Sequence, residues 1–136
     1  IQNFLSFKDE VTLSFEATKD SFAEEYQVVE VEKGVRLLRL GVVYGANASG
    51  KSNLLKAFNF LHSFLFAKHE DLDEPTEVIP FMLDIVTPNQ PSRFELVFYV
   101  GSVKYWYQLV LDSNRSILKN YQYIILSNLL CFFAGN

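Results

Sequence analysis

Residues able to bind phosphate lie together at positions 45–52, which read Gly-Ala-Asn-Ala-Ser-Gly-Lys-Ser. They match the pattern G-x-x-x-x-G-K-[ST], in which backbone N–H groups surround a polyphosphate. Gly45 and Gly50 supply the backbone freedom that the bend needs. Lys51 is expected to reach the β- and γ-phosphates, and the Ser52 hydroxyl to ligate the Mg²⁺ that bridges them. The pattern therefore predicts a site for a magnesium–nucleotide complex.

The segments on either side of this loop have the patterns that such a site requires. Residues 35–44 are rich in aliphatic and β-branched side chains, which predicts a strand leading into the loop. Residues 51 to about 68 predict a helix, whose unpaired N-terminal N–H groups and dipole would favour an anion. One apolar face of this helix is expected to comprise Leu54, Phe58, Leu61 and Leu65.

The composition describes a chain that can form a core. Of 136 residues, 49% are hydrophobic and 15% aromatic, which excludes a disordered chain. The net charge of −4 gives no basic footprint for nucleic acid over the whole chain. The single cysteine, Cys131, excludes an internal disulfide. The single cysteine and the lack of a signal peptide in the sequence together predict a reducing, cytoplasmic setting.

The last part of the sequence is unusually apolar, above all at residues 121–134. This run is shorter than the about 20 residues of a membrane-spanning helix, so no membrane partner is predicted. We expect a buried element whose packing partner lies outside the chain. The 136 residues are accordingly interpreted as one truncated domain with an atypical apolar tail at 117–136.

The remaining pattern is dominated by short strands. Besides the strand before the loop, strands are predicted at 2–7, 11–15, 27–32, 94–100 and 104–112, with another from about Ser116. Residues 94–100 and 104–112 are expected to pair as a β-hairpin. The chain is therefore predicted to be α/β, a P-loop core with an antiparallel subsheet and one main helix.

The order of these elements favours one kind of P-loop protein. Nucleotide kinases and small GTPases usually begin with the loop strand, whereas here at least two strands precede it. ATPase heads of the ABC type place an antiparallel strand pair first and insert an antiparallel subsheet near the nucleotide. The GTPase patterns D-x-x-G and N-K-x-D are absent from the sequence, which favours ATP over GTP.

The loop itself resembles a known family. Asn47 and residues 49–53, Ser-Gly-Lys-Ser-Asn, are similar to the G-x-N-x-S-G-K-S-N loop of RecF and the structural-maintenance-of-chromosomes ATPases. The fuller string at 43–57 resembles bacterial AAA-family ATPases related to the overcoming-lysogenization-defect and abortive-infection phage-defence proteins, and so do residues 3–10 and 91–96. The predicted binding residues are Gly45, Asn47, Ala48, Ser49, Gly50, Lys51, Ser52 and Asn53.

The resemblance extends over about residues 1–119 and implies more than the chain contains. Such proteins hydrolyse ATP between two heads, so a homodimer is implied for the full-length protein, and DNA enters as a partner only through the resemblance. They use a signature serine from the partner head and a downstream Walker B Asp-Glu pair. The chain is thus interpreted as the N-terminal half of an ABC-type head, inactive by itself.

Two segments imitate a Walker B strand, and we reject both. Residues 109–112, Leu-Val-Leu-Asp, lie on the second arm of a hairpin, whereas a Walker B strand arrives beside the loop strand by a crossover. Ser113 follows where glutamate is expected. Residues 82–84, Met-Leu-Asp, are rejected for the same reason, because they also lack the structural context of a Walker B strand. No catalytic residue is therefore assigned.

Other interpretations remain open from the sequence. Adenine contacts are suggested at Phe4, Phe7 or Phe15 by analogy with ABC heads, with a core role for all three as the alternative. A P-loop kinase acting on a small acceptor would need a lid of arginines, and the four arginines here are scattered. A non-catalytic structural module would also account for the apolar tail.

Overall fold

The computed structural model describes residues 1–19, 24–66, 76, 78–101, 103–111 and 117–123. In chain order the elements are α1 (Glu24–Gln27), β1 (Val28–Glu32), β2 (Val35–Leu38), α2 (Lys51–Phe66), a 3₁₀ turn (Thr87–Asn89), β3 (Ser92–Val100), β4 (Val103–Leu111) and β5 (Ile117–Tyr123). The strands form a sheet of order β1-β2 and a sheet of order β3-β4-β5. Every strand pairing in the described part of the chain is antiparallel.

The predicted hairpin is confirmed and is the most regular part of the molecule. β3 and β4 pair without a break from Ser92 opposite Leu111 to Val100 opposite Val103. Gly101 lies in the left-handed region (φ 62°), which suits glycine in a tight hairpin turn. The further strand is also confirmed as β5, which pairs with β4. The first seven residues of the predicted tail at 117–136 are thus a strand, and residues 124–136 lie outside the described part.

The strand before the loop is shorter than predicted. β1 is confirmed at Val28–Glu32, and the chain turns at Gly34 into β2. β2 ends at Leu38, so the prediction of a strand over 35–44 is wrong beyond that residue. The physical reason is the lack of a neighbouring strand: among the described residues, no backbone pairs with 40–44, and Tyr44 is 91% exposed.

The two predicted strands at 2–7 and 11–15 are not strands either. The described N-terminal segment makes only isolated bridges, including one between Gln2 and Arg93. Asn3 and Leu5 have φ angles of 51° and 50°, which break an extended conformation. The chain therefore folds into a tight turn in which the N–H and carbonyl groups of Phe4 and Phe7 bond each other, at 2.9 and 2.8 Å.

The helix α2 is confirmed from Lys51 to Phe66, but its buried face differs from the prediction. The buried side chains are those of Ala57, Leu61 and Phe64, whereas Phe58 is exposed. These positions keep the helical spacing of four and three residues, but the buried stripe is rotated towards Phe60, whose ring packs against Phe4 and Phe94. Leu54 is half-buried, and the side chain of Leu65 lies outside the described part.

An aromatic cluster connects the N-terminal turn, the helix and the sheet. The Phe60 ring lies 5.6 Å from that of Phe4 and 5.1 Å from that of Phe94, centroid to centroid. Phe94 is completely buried, and Leu109 and Leu111 of β4 extend the same core. Burial of these apolar surfaces is the main stabilising term for this arrangement.

A buried asparagine fixes the N-terminal turn to the segment before β3. The Asn3 Nδ2 group donates to the carbonyl oxygens of Thr87 (2.9 Å) and Gln90 (2.7 Å), and Asn3 Oδ1 accepts from the Phe81 N–H (2.9 Å). Ser92 Oγ donates to the Asn3 carbonyl. A single side chain thus satisfies several backbone groups that would otherwise be buried without partners.

Candidate phosphate-binding site

The loop at 45–50 bends at two positions with left-handed backbone. Gly50 has a φ of 92°, which fits the predicted need for glycine, and the other position is Ala48, with a φ of 62°. Gly45 does not have a positive φ. Its role is spatial, because a Cβ at Gly45 would lie 3.1 Å from the Ser49 hydroxyl.

Most N–H groups of the loop have no hydrogen-bond acceptor among the described residues. Two exceptions are Ser49, whose N–H donates to the Ala46 carbonyl (3.3 Å), and Asn53, whose N–H donates to the Gly50 carbonyl (2.9 Å). Within 47–52, the N–H groups without such a partner belong to Asn47, Ala48, Gly50, Lys51 and Ser52. Adjacent free N–H groups at a helix N-terminus suit an anion with several oxygens.

The side chain of Lys51 folds back onto the loop. Its Nζ donates to the carbonyl oxygens of Gly45 (2.8 Å) and Ala46 (2.6 Å) and lies 3.4 Å from Ser49 Oγ. The ammonium is therefore held beside the free N–H groups by the backbone of the loop itself. An arriving phosphate would compete with these two carbonyls for the same cation.

The N-terminal turn packs against the far end of the loop. Asn53 Nδ2 donates to Ser6 Oγ at 2.9 Å, and a Cβ on Gly50 would lie 3.2 Å from the same oxygen. The Phe7 ring is also close, because the same Cβ would lie 3.7 Å from its nearest ring carbon. No sequence pattern points to Ser6, because its contact depends on how residues 4–7 turn.

The three candidate adenine contacts occupy different environments. Phe4 is buried in the aromatic cluster, so its suggested adenine contact is wrong and its core role is confirmed. Phe7 is half-buried beside Gly50. Phe15 is exposed and its ring lies against Gly41, ahead of the loop. Phe7 and Phe15 therefore remain near the loop with part of their rings accessible.

The structure places parts of both rejected Walker B segments, the first of them on the hairpin where it was predicted to lie. Leu109 and Leu111 lie on β4, which is antiparallel to both of its neighbours. Asp112 lies outside the described part. Asp84 forms an ion pair with Lys8 (2.8 Å), and its carboxylate accepts hydrogen bonds from the Thr87 hydroxyl and N–H, both at 2.6 Å. It therefore stabilises the start of the 3₁₀ turn.

The Asp84 contacts predict a pH-dependent stability. Hydrogen bonds from Lys8 and Thr87 hold the pKa of Asp84 well below its ordinary value. Because the folded protein binds this proton more weakly than the unfolded chain, the stabilisation is present above a pH of about 4. It is lost as the pH falls below that value.

We expect Asp84→Asn to lower the urea midpoint by a constant amount between pH 7 and about pH 5, since the Asp84 stabilisation is fully present there. The difference from the unmodified protein should narrow as the pH approaches 3, when Asp84 of the unfolded chain is protonated. Urea titrations followed by circular dichroism at each pH measure this. Asp9→Asn is the matched control, and a pH-independent difference for Asp84→Asn would contradict the assignment.

The described residues contain neither a cluster of metal-binding side chains nor a helix that could span a membrane. No group of three or more His, Cys, Asp or Glu side chains is placed to hold a metal ion within the described ranges. A magnesium ion bound through phosphates and one hydroxyl would not need such a group. Within the same ranges, no helix is long and apolar enough to cross a membrane.

Comparison with known proteins assigns the family. Residues 40–128 match the family described as "AAA domain, putative AbiEii toxin, Type IV TA system", which is more than half of the 136-residue chain. No curated protein and no solved structure gives a match. The α/β arrangement with small antiparallel sheets is compatible with a P-loop nucleotide-binding domain of this class.

The chain belongs to this AAA-domain family, with its link to abortive infection. Its general function is accordingly that of a nucleotide-binding, ATPase-like domain. The match begins at residue 40, five residues before the loop, and includes α2 and the β3-β4 hairpin.

Proposed function

We propose that residues 45–53 form the ATP-binding loop of this domain. The observation that carries the proposal is the set of five N–H groups without an acceptor among the described residues, at 47, 48 and 50–52. The Lys51 ammonium lies within the same loop, bonded to two of its carbonyls. N–H donors, a cation and a helix N-terminus in one loop suit the β- and γ-phosphates of ATP.

The same loop offers a ligand for Mg²⁺. Ser52 is exposed at the start of α2, and its hydroxyl has no hydrogen-bond partner in the described part of the chain. Mg²⁺ typically takes one or two protein oxygens, phosphate oxygens and waters, so one free hydroxyl is sufficient here. When bound, the ion would neutralise charge on the phosphates, and Ser52 would fix its position.

We further propose that the domain is the N-terminal part of an ABC-type ATPase head. The support is the order of elements: β1 and β2 precede the loop, and the β3-β4-β5 sheet follows α2. Asn47 and Asn53 fit the loop of that class. No described residue near the loop is a credible catalytic base, so hydrolysis would require further residues and pairing of two heads in a longer protein.

A role in phage defence is the biological context that we propose. Its support is the abortive-infection character of the family to which residues 40–128 belong. Binding of DNA rests only on the resemblance to RecF-like heads, and the net charge of −4 does not add to it. A defence function would couple ATP binding at residues 45–53 to an effector.

The test of the binding site is Lys51→Ala. Two charge-assisted hydrogen bonds to phosphate would be lost, so we expect ATP affinity to fall by at least about 30-fold. Isothermal titration calorimetry with Mg·ATP measures the change. Lys56→Ala is the matched control, because Lys56 is exposed on the same helix five residues further on. Unchanged affinity in Lys51→Ala would refute the proposed site.

A further inference from the structure

The N-terminal turn at residues 4–7 carries a hydroxyl group to the edge of the phosphate-binding loop. Ser6 Oγ accepts a hydrogen bond from Asn53 Nδ2 at 2.9 Å. Among the described residues, this is the one hydrogen bond between residues 1–8 and residues 45–53. A Cβ on Gly50 would lie 3.2 Å from the same oxygen. Ser6 therefore lies beside the last glycine of the loop and is bonded to the first turn of α2.

The position of Ser6 is fixed by the contacts of its neighbours in the turn. The N–H and carbonyl groups of Phe4 and Phe7 bond each other at 2.9 and 2.8 Å, which closes the turn around Ser6. The Leu5 N–H donates to the Ile79 carbonyl at 2.9 Å, and the Phe4 side chain is buried in the aromatic cluster. Because the residues on both sides of Ser6 are held in this way, its hydroxyl has a defined place from which to bond the loop.

On the loop side, Asn53 belongs to the turn that carries the proposed phosphate donors. Its N–H donates to the Gly50 carbonyl at 2.9 Å, and the Leu54 N–H donates to the same oxygen at 3.0 Å. These two bonds close the first turn of α2. The turn includes the N–H groups of residues 50–52, which have no acceptor within the described part of the chain. The Asn53 side chain thus connects these N–H groups to Ser6.

The direction of those N–H groups decides how well they bind an anion. A hydrogen bond weakens steeply once the angle at its hydrogen departs far from linear. Three adjacent N–H groups therefore bind one phosphate well only if the turn that carries them keeps its orientation. In the described part of α2, the buried side chains are those of Ala57, Leu61 and Phe64. The first turn lies ahead of them, so the bond to Ser6 holds a part of the helix that precedes its buried face.

We propose that Ser6 is a positioning residue of the nucleotide site. Its hydroxyl holds the Asn53 side chain, and Asn53 keeps the N–H groups of residues 50–52 in the direction that a phosphate needs. Asn53 then acts through its bond to Ser6 rather than as a phosphate ligand. This role rests on the proposed ATP site at residues 45–53, and it adds to that site a residue 47 positions before Asn53 in the sequence.

The first test compares Ser6→Ala with Ser6→Thr in the complete 136-residue chain. Alanine removes the acceptor of the Asn53 amide, and the net contribution of one hydrogen bond corresponds to about a fivefold change in an equilibrium constant. We expect affinity for Mg·ATP, measured by calorimetry, to fall by that factor in Ser6→Ala. Threonine keeps the hydroxyl, so Ser6→Thr should restore affinity to within about twofold of the unmodified chain. Ser6 is exposed, so the urea midpoint should stay the same in both variants.

Ser14→Ala is the matched control, because Ser14 is also exposed and its hydroxyl accepts from the Glu16 N–H at 3.1 Å instead of bonding the loop. This variant should bind Mg·ATP like the unmodified chain. Asn53→Ala should reproduce the loss seen in Ser6→Ala. Adding Ser6→Ala to Asn53→Ala should cause no further loss, because both changes remove the same bond. Fully additive losses in the double variant would overturn the proposal.

A second readout needs no nucleotide. In isotope-labelled protein without ATP, the NMR amide resonances of residues 50–52 should shift in Ser6→Ala and return in Ser6→Thr. Resonances that stay in place in Ser6→Ala would overturn the positioning role, whatever the calorimetry shows. If Lys51→Ala loses ATP affinity and Ser6→Ala does not, the role of Ser6 is wrong and the ATP site stands. If Lys51→Ala binds ATP normally, the ATP site itself is wrong, and the role of Ser6 in nucleotide binding is refuted with it.

Discussion

Asn3→Ala is expected to lower the free energy of unfolding by about 3–4 kcal/mol. Asn3 is 2% exposed, and its side chain bonds to the carbonyls of Thr87 and Gln90 and to the N–H of Phe81. Each buried group that loses its partner costs about 1–3 kcal/mol. Alanine also tolerates the left-handed backbone of position 3 less well than asparagine does.

Urea denaturation followed by fluorescence or circular dichroism measures this loss. Asn89→Ala is the matched control, because Asn89 is exposed in the neighbouring 3₁₀ turn and makes one long hydrogen bond, 3.4 Å to the Ile85 carbonyl. That variant should change stability by less than about 0.5 kcal/mol. A loss of under about 1 kcal/mol in Asn3→Ala would show that the asparagine does not fix the N-terminal turn.

Gly50→Val is expected to reduce ATP affinity by at least about 30-fold, which is about 2 kcal/mol. Its φ of 92° is costly for a β-branched residue, and the new Cβ would lie 3.2 Å from Ser6 Oγ. Relief of either problem requires the loop to change shape, which would displace the N–H groups at 47, 48 and 50–52. Calorimetry with Mg·ATP and urea denaturation together measure the effect.

Gly34→Val is the matched control for Gly50→Val, because it introduces the same backbone strain outside the loop. Gly34 has a φ of 85°, close to that of Gly50, but a Cβ there meets nothing within 4 Å. It should therefore destabilise the protein by about 1–2 kcal/mol, with ATP affinity unchanged. The two outcomes test the site sharply: if both valine variants bind ATP equally well, the loop at 45–52 is not the nucleotide site.

Features with a local cause were predictable from the sequence. The β3-β4 hairpin and the helix α2 follow from residue periodicity and a glycine turn, and the left-handed backbone at Gly50 follows from the glycine pattern of the loop. These features depend on neighbours along the chain. For the same reason, β1 and β5 were found close to their predicted positions.

Features that depend on distant partners were not predictable. Residues 40–44 have the aliphatic and β-branched composition that is typical of a strand. A strand also needs a neighbouring strand to bond to, and the described residues supply none. The buried face of α2 is selected by the rings of Phe4 and Phe94, which lie far away in sequence. The left-handed turn at Asn3 likewise depends on carbonyls more than 80 residues away.

The position of Lys51 has a consequence for how affinity is measured. Because its ammonium donates to the carbonyls of Gly45 and Ala46, a phosphate that binds Lys51 has to compete with these two acceptors. If Lys51 binds phosphate as proposed, the free energy of binding measured by calorimetry reflects an exchange of acceptors, carbonyl for phosphate, and is smaller than that of the lysine–phosphate contact alone. The cation that we propose for phosphate binding thus also bonds two carbonyls of its own loop.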